Sequence, residues 1–413
     1  MRRSRAHRMI SSAGRSHARL VAAAALCALV AFLAPASALA AGGGSPHVKV
    51  SEPHWVVPAS NLPPGVSAQA GNNNVAIAMH KGRLFMAWRT GPFHFASSSA
   101  RLYVVSSANN GRIWDFEREV YMGTDLREPF LVSFKGRLIL TFFRAGTNPL
   151  AFEPQHMWRT VRNGRANWTA PETWGEEGEV PWAFKVHEGK VYATTYKGPH
   201  YSTDPAVLEV RFYVSDDGLD WRPVGTQGPV VYRGGVSEVG FDFDAAGNLW
   251  GVTRSEDGDA TGFGSHLVSA PAADLAAWQF PATCDPNIYE SPRMFRHGDD
   301  LYLIARRDPC SPYDMGWNFL PFDIRRLVYL AAYSLRPKRT ALFRIDTASR
   351  KVVWVRDLPG CGDTAFASII QTGPDSFLVA NYTSPLWFTW RTWLAGQISI
   401  FGTRIYFVRL DFA

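Results

Sequence analysis

Arginine, carboxylate and tyrosine side chains stand at the ends of short apolar segments in this 413-residue chain, each a few positions past a glycine-centred turn. Arg89, Tyr196 and Arg254 each lie seven residues beyond Gly82, Gly189 and Gly247, and Phe143 holds that place after Gly136. Arg306 falls eight beyond Gly298, and Tyr382 nine beyond Gly373. Ahead of the same turns stand Glu128, Trp182, Glu238, Glu290 and Asp363, with Arg127 and Arg293 beside them. A guanidinium fork suits a carboxylate or another planar anion, and a tyrosine beside a carboxylate can act as a nucleophile. Such groups gathered in one concavity cost free energy unless they pair or bind something. They therefore read as an anion-binding catalytic site or as a network that neutralises itself.

What must position them is a recurring unit of strand, turn and strand. It begins at Asn74, Glu128, Trp182, Glu238, Glu290 and Asp363, a spacing close to 54 residues that lengthens only before the last copy. Alternating segments between the hairpins, such as those from Arg101, Val207 and Thr340, supply further strands. A hairpin repeated at this period predicts an all-β fold, a six-bladed propeller of four-stranded antiparallel blades over residues 71–413. A lead segment (41–70) precedes it, and the last strand, from Thr403, closes the ring with the N-terminal segment. First strands lie innermost in a propeller, so the tips converge on one central funnel. An insertion at 311–339 in the fifth blade, with an amphipathic helix from Phe322, is expected to roof the pocket. Trp387, Trp390 and Trp393 follow Tyr382, and packing is expected for two of the three.

The chain at this point resembles the sialidase superfamily of six-bladed propellers. Ser107-Ala-Asn109-Asn-Gly111-Arg-Ile-Trp114 and Val214-Ser-Asp216-Asp-Gly218-Leu-Asp-Trp221 are similar to its aspartate-box turns, with Asn for Asp and Ile for Thr in the first and Val for Ser in the second. In such turns an acid or amide caps local N–H groups, and glycine takes the positive-φ position. Sialidases hold a substrate carboxylate with three arginines and use a tyrosine nucleophile, a glutamate and an aspartate acid/base. The resemblance implies Arg89, Arg254 and Arg306 (or Arg293) for the arginines, with Tyr382 as nucleophile and Glu238 as its base. Glu128-Pro129 resembles the acidic-Pro pair of the second blade. Arg127, Glu128, Arg293, Glu290, Tyr196 and Trp182 complete the expected substrate contacts. The family's aspartate has no counterpart, because the loop after Arg89 holds no acid. His94 is the titratable side chain of that loop and the candidate proton donor, and Asp125 is the second candidate.

Composition narrows the partner. The formal charge is +7, but six arginines and no acid fall within the first forty residues. The remainder is nearly balanced, which argues against nucleic acid or an anionic surface held by bulk charge. The leading stretch, basic to Arg19, apolar from Leu20 to Ala34 and closing on Ala38-Leu39-Ala40, reads as a secretory signal cleaved after Ala40. No transmembrane span is expected after that cleavage, and the mature chain is expected outside the cytoplasm as a monomer. Cys27 leaves with the signal; Cys284–Cys310 is the expected disulfide, with Cys310–Cys361 as the rival. Metal-ligand spacing is absent, and neither metal nor cofactor is expected. Three functions follow: an exported glycoside hydrolase acting on a terminal acidic sugar, a non-catalytic glycan-binding propeller, and a polysaccharide lyase acting on uronic-acid glycans through His94 or Tyr382.

Overall fold

A computed structural model describes residues 47–200 and 207–413. The signal reading, with Cys27 and the junction at Ala40, lies outside them. Six antiparallel sheets follow one another around a ring. The first blade runs Gly71–His80, Arg83–Gly91, Arg101–Ser107 and Asp115–Val120. The second opens with Asp125–Phe134, Arg137–Ala145 and Pro154–Gly164, and the third with Glu179–His187, Lys190–Lys197 and Leu208–Ser215. The fourth uses Val239–Phe243, Leu249–Thr253 and Leu267–Ala270, completed by a bridge from Ser269 to Gln279. The fifth is Glu290–His297, Asp300–Arg307, Arg339–Asp346 and Lys351–Cys361.

The sixth blade closes the ring. Arg404–Phe412 pairs on one side with Ser376–Thr383 and on the other with Val48–Val50 and His54–Val57. The two ends of the chain thus share one sheet, and Val48, Val408, Leu410 and Phe412 are buried there. Removing these apolar surfaces from water holds the ends together at roughly 25 cal/mol per Å².

The hairpin turns explain the regular spacing. Lys81-Gly82, Lys135-Gly136 and Glu188-Gly189 all have positive φ at both positions. That geometry matches the twist of paired strands and calls for glycine in the second place. Residues opposite one another, His80 and Arg83, Phe134 and Arg137, His187 and Lys190, confirm two-residue loops.

The first box-like turn is built as its sequence implies: Asn109 Oδ1 accepts from Ile113 N at 2.9 Å and Ser107 Oγ from Gly111 N at 2.9 Å, while Trp114 packs edge-on against Phe407. In the second, the capping pair is Ser215 and Asp217, one residue later than the alignment on Val214 and Asp216. Serine, not valine, can accept the Gly218 N–H, at 2.8 Å.

Two other expectations are corrected. Cys284, Cys310 and Cys361 are free thiols, so neither disulfide forms. The Cys284 thiol lies against Thr261 and His266, and Cys361 faces the Ser384, Pro385 and Phe388 carbonyls. Among the three tryptophans only Trp393 is packed; Trp387 and Trp390 remain 70% and 60% exposed. The predicted helix is present as Phe322–Ser334, burying Val328, Tyr329 and Tyr333.

Candidate active site

In every blade the connection from second to third strand rises at the same end of the ring. The described residues of these connections are 92–100, 146–153, 198–200 with 207, 254–266, 308–338 and 384–403, and members of each, together with the first-strand tips, wall a pocket of about 350 Å³. His94, Arg127, Glu128, Trp182, Tyr196, Glu238, Arg254, Arg306 and Tyr382 line it, as their spacing predicts. No helix among the described residues is long and apolar enough to cross a membrane.

A backbone device aims several of these side chains. The innermost strands of the first, second, third and fifth blades each carry a register shift at the tip, between Asn73 and Ala76, Arg127 and Phe130, Pro181 and Ala183, and Glu290 and Arg293. An extra residue in one strand bends it and re-aims a side chain. Asn74, Glu128 and Ser291 occupy these bulges with φ of 48°, 52° and 50°, and all three line the pocket with Trp182. A left-handed non-glycine residue costs about 1–3 kcal/mol, a strain that concentrates at functional sites.

The fourth and fifth blades form a closed ionic wall. Arg254 donates to Glu238 at 2.7 Å and to Glu256 at 2.6 Å, and lies 3.2 Å from Glu290. Arg306 donates to Glu290 at 2.8 Å and to the Thr364 carbonyl at 3.0 Å, and its guanidinium stacks 4.6 Å from the Trp393 ring. Tyr333, from the inserted helix, donates to Glu290 at 2.6 Å. The insertion thus anchors the wall, and its Leu330 and Ser334 reach the pocket. Burial disfavours the Glu290 carboxylate, but Arg254 and Arg306 outweigh it and hold the group at about 2. Glu238 uses its other oxygen to accept the Ser291 N–H at 2.9 Å.

Arg89, Asp125, Glu290 and Arg293 do not reach the pocket. Arg89 is fully buried: it donates to Asp125 at 2.8 Å, to the Phe93 and Phe95 carbonyls at 3.1 and 3.0 Å, and to Asn73. These bonds use its fork to hold up the loop bearing His94, so it is a pedestal and not a carboxylate clamp. Asp125, equally buried, accepts from Arg89 and Arg127, and with those two arginines on its oxygens it is not placed to pass protons. Arg293 lies beneath the floor among the rings of Trp182, Phe366 and Phe130 at 4.4, 4.2 and 4.9 Å, where burial lowers its pKa to about 10.

The sixth and first blades form a different wall. Asp363, fully buried, accepts from Tyr382 at 3.2 Å and lies 2.7 Å from His94 Nδ1. Tyr382 therefore meets Asp363 and not Glu238, which is engaged by Arg254 and Ser291. With Nδ1–H pointed at a carboxylate, the neutral imidazole keeps its lone pair on Nε2. Burial lowers the His94 pKa more strongly than Asp363 raises it, so the neutral form prevails. Burial and then Asp363 push the Tyr382 pKa well above its ordinary value, which disfavours a phenolate.

Glu128 lines the same pocket with its Oε2 unpartnered. Burial and the nearby Glu238 charge raise its pKa to about 8, so it carries a proton at neutral pH. Across the pocket a second histidine, His200, bonds Asp257 at 2.7 Å. Sequence reading missed Asp363 as the hub of its wall, and His200 entirely. The signal for His200 was present: His94 and His200 follow the tips Arg89 and Tyr196 by five and four residues.

No family model and no curated relative matches the chain. Solved structures do. A protein of unknown function from Dyadobacter fermentans superposes with a TM-score of 0.58 at 14% identity, over 89% of this chain and 99% of that one. The fold is a six-bladed β-propeller. Trypanosoma rangeli sialidase aligns with a TM-score of 0.50 at 10% identity, over 82% of this chain and 54% of the sialidase. Penicillium chrysogenum alpha-L-arabinanase, solved with arabinobiose, gives 0.50 at 14% identity over 88% and 98% of the two chains. At these identities the likeness concerns architecture alone.

Proposed function

We propose that the chain is a glycoside hydrolase whose funnel takes the end of a glycan, with Glu128 as general acid and His94, oriented by Asp363, as general base. The observation that carries this is the pairing, in one pocket, of a protonated carboxyl with an unpartnered oxygen and a neutral imidazole braced by a buried carboxylate. Water attacks the anomeric carbon while His94 Nε2 takes its proton; the glycosidic C–O bond breaks as Glu128 passes its proton to the leaving oxygen. Tyr382 is a hydroxyl that braces Asp363, since its environment opposes the phenolate a nucleophile needs. Architectural likeness to a sialidase and an arabinanase supports the substrate class.

Preference for an acidic terminal sugar is the finer part of the proposal. Arg127, Arg254 and Arg306 line the pocket, and each already engages a protein carboxylate. A sugar carboxylate would meet the flanks of these ion pairs, giving a preference and not an absolute requirement. Incubation with sialosides, uronic-acid oligosaccharides and arabino-oligosaccharides tests both levels. Release of a saturated sugar supports hydrolysis, and intact glycans throughout would leave a binding propeller.

Elimination is the second reading, favoured by one observation: His94 and Tyr382 share Asp363, with ring centres 6.4 Å apart. A base and a hydroxyl acid side by side could remove the proton next to a uronic carboxylate and protonate the departing oxygen. The product would then carry a carbon–carbon double bond, visible as new near-ultraviolet absorbance.

A further inference from the structure

One segment departs from the rest of the surface. Of sixteen large apolar residues exposed among the described residues, seven fall between 387 and 401. Ile400 is 86% exposed, Trp387 70%, and Trp390, Phe401, Ile398 and Phe388 range from 60% to 49%. Scattered apolar side chains need no explanation, but a contiguous group of this size marks an interaction surface.

The group is built and not loose. Arg391, itself buried, lies 5.0 Å from the Trp387 ring and 5.9 Å from those of Phe388 and Phe401, and donates to Ser399 at 2.9 Å. Trp387 stacks on Phe388 and meets Phe401 edge-on. The Trp393–Gln397 helix is capped by Thr392, and Trp393, Leu394 and Gln397 line the pocket, so the exposed group continues to its rim. On the far rim stands Leu150, 94% exposed and also lining the pocket.

Charge selects among occupants. No acidic residue occurs between 387 and 401, and the Arg339 guanidinium lies 5.9 Å from the Trp390 ring. Trp and Phe mixed with isoleucine and fringed by arginine is the composition of a lipid-interface anchor: rings sit at headgroup depth, aliphatic side chains enter the acyl boundary, and cations meet phosphate. A glycan would stack on the ring faces but leaves Ile398 and Ile400 without a partner, since they have no face to offer.

We infer that the surface of residues 387–401 docks the protein on a phospholipid membrane, with the pocket mouth beside the headgroups. The inference goes beyond the proposed reaction and does not depend on it, because vesicle binding is read without a substrate. The near-neutral body is consistent with it, since apolar insertion and not bulk charge supplies the attraction.

The test is co-sedimentation of the full chain with phosphatidylcholine vesicles, with and without added phosphatidylglycerol. Wild type is expected to pellet with both, more strongly with the anionic lipid, and its tryptophan emission to be quenched by brominated acyl chains. The triple variant Trp387→Ser/Ile400→Ser/Phe401→Ser should lose at least roughly tenfold in partitioning while keeping its near-ultraviolet dichroism. Ile400→Ser alone, at a side chain almost wholly in solvent, should weaken binding without touching the fold. Wild type remaining in the supernatant with both vesicles would overturn the inference. So would a dimer in sedimentation velocity that the triple variant dissociates, or quenching by soluble oligosaccharide in place of lipid.

Discussion

The fourth- and fifth-blade wall of the funnel and the sixth- and first-blade wall are made from the same kinds of residue, yet they are in different states. In the first, Glu238, Glu290, Arg254, Arg306 and Tyr333 are joined in one network of ion pairs and hydrogen bonds, and Glu290 is held at about 2. In the second, Asp363 fixes His94 and Tyr382, and Glu128, which lines the same pocket, has an unpartnered oxygen and a pKa near 8. Residue type thus does not decide whether a charged group is structural or reactive. The surrounding charge does: a carboxylate held between two guanidinium groups stays ionised and holds the wall in place, whereas a buried one facing another carboxylate keeps its proton.

Substitutions that separate the walls are the way to break this comparison. Glu128→Gln removes the acid and should lower kcat by about a thousandfold, within the usual range for general acid catalysis, with thermal stability retained. Steady-state kinetics beside a melting curve reads both. Glu290→Gln should do the reverse in kind: loss of the carboxylate shared by Arg254 and Arg306 leaves buried cations uncompensated and costs about 3–5 kcal/mol in denaturant titration. The same group predicts acid sensitivity. Its folded pKa is depressed, so its stabilisation is present above the ordinary carboxylate range and is lost as pH falls toward 2.

A smaller effect belongs to Asp363→Asn, which keeps the shape but can present an N–H to His94. Activity should fall by about a hundredfold, and the acid limb of the pH profile should move, as expected when a general base loses its orienting partner. The smallest is Tyr382→Phe, which deletes one hydrogen bond to Asp363, about 1 kcal/mol and so about fivefold. A nucleophile would be missed far more, and near-complete inactivation by Tyr382→Phe would restore the tyrosine to that role.

The ring was legible because hairpins with two-residue glycine turns recur at a nearly constant period, and a tip seven residues past each turn must lie at one end. Depth was not legible. Arg89 and Arg254 have the same spacing from their turns, yet the 92–100 loop folds over Arg89 and seals it beneath the surface. Whether Glu290 or Ser291 meets the pocket depends on a bulge, a shift of one residue that leaves little trace in composition. Tyr333 comes from the fifth-blade connection between second and third strands, and these connections differ in length from blade to blade and carry no period. The free cysteines were misjudged because a count of three after the signal suggests a bond, whereas in the fold all three are free thiols.

The claim that Glu128 holds a proton ready for transfer can be tested without any substrate. Infrared difference spectroscopy across pH, comparing wild type with Glu128→Gln, isolates the carboxyl stretch of Glu128. A protonated band at pH 7 that is absent from the variant and disappears as pH rises through about 8 is the predicted result. A Glu128 that has already lost its proton near pH 5 would contradict the account.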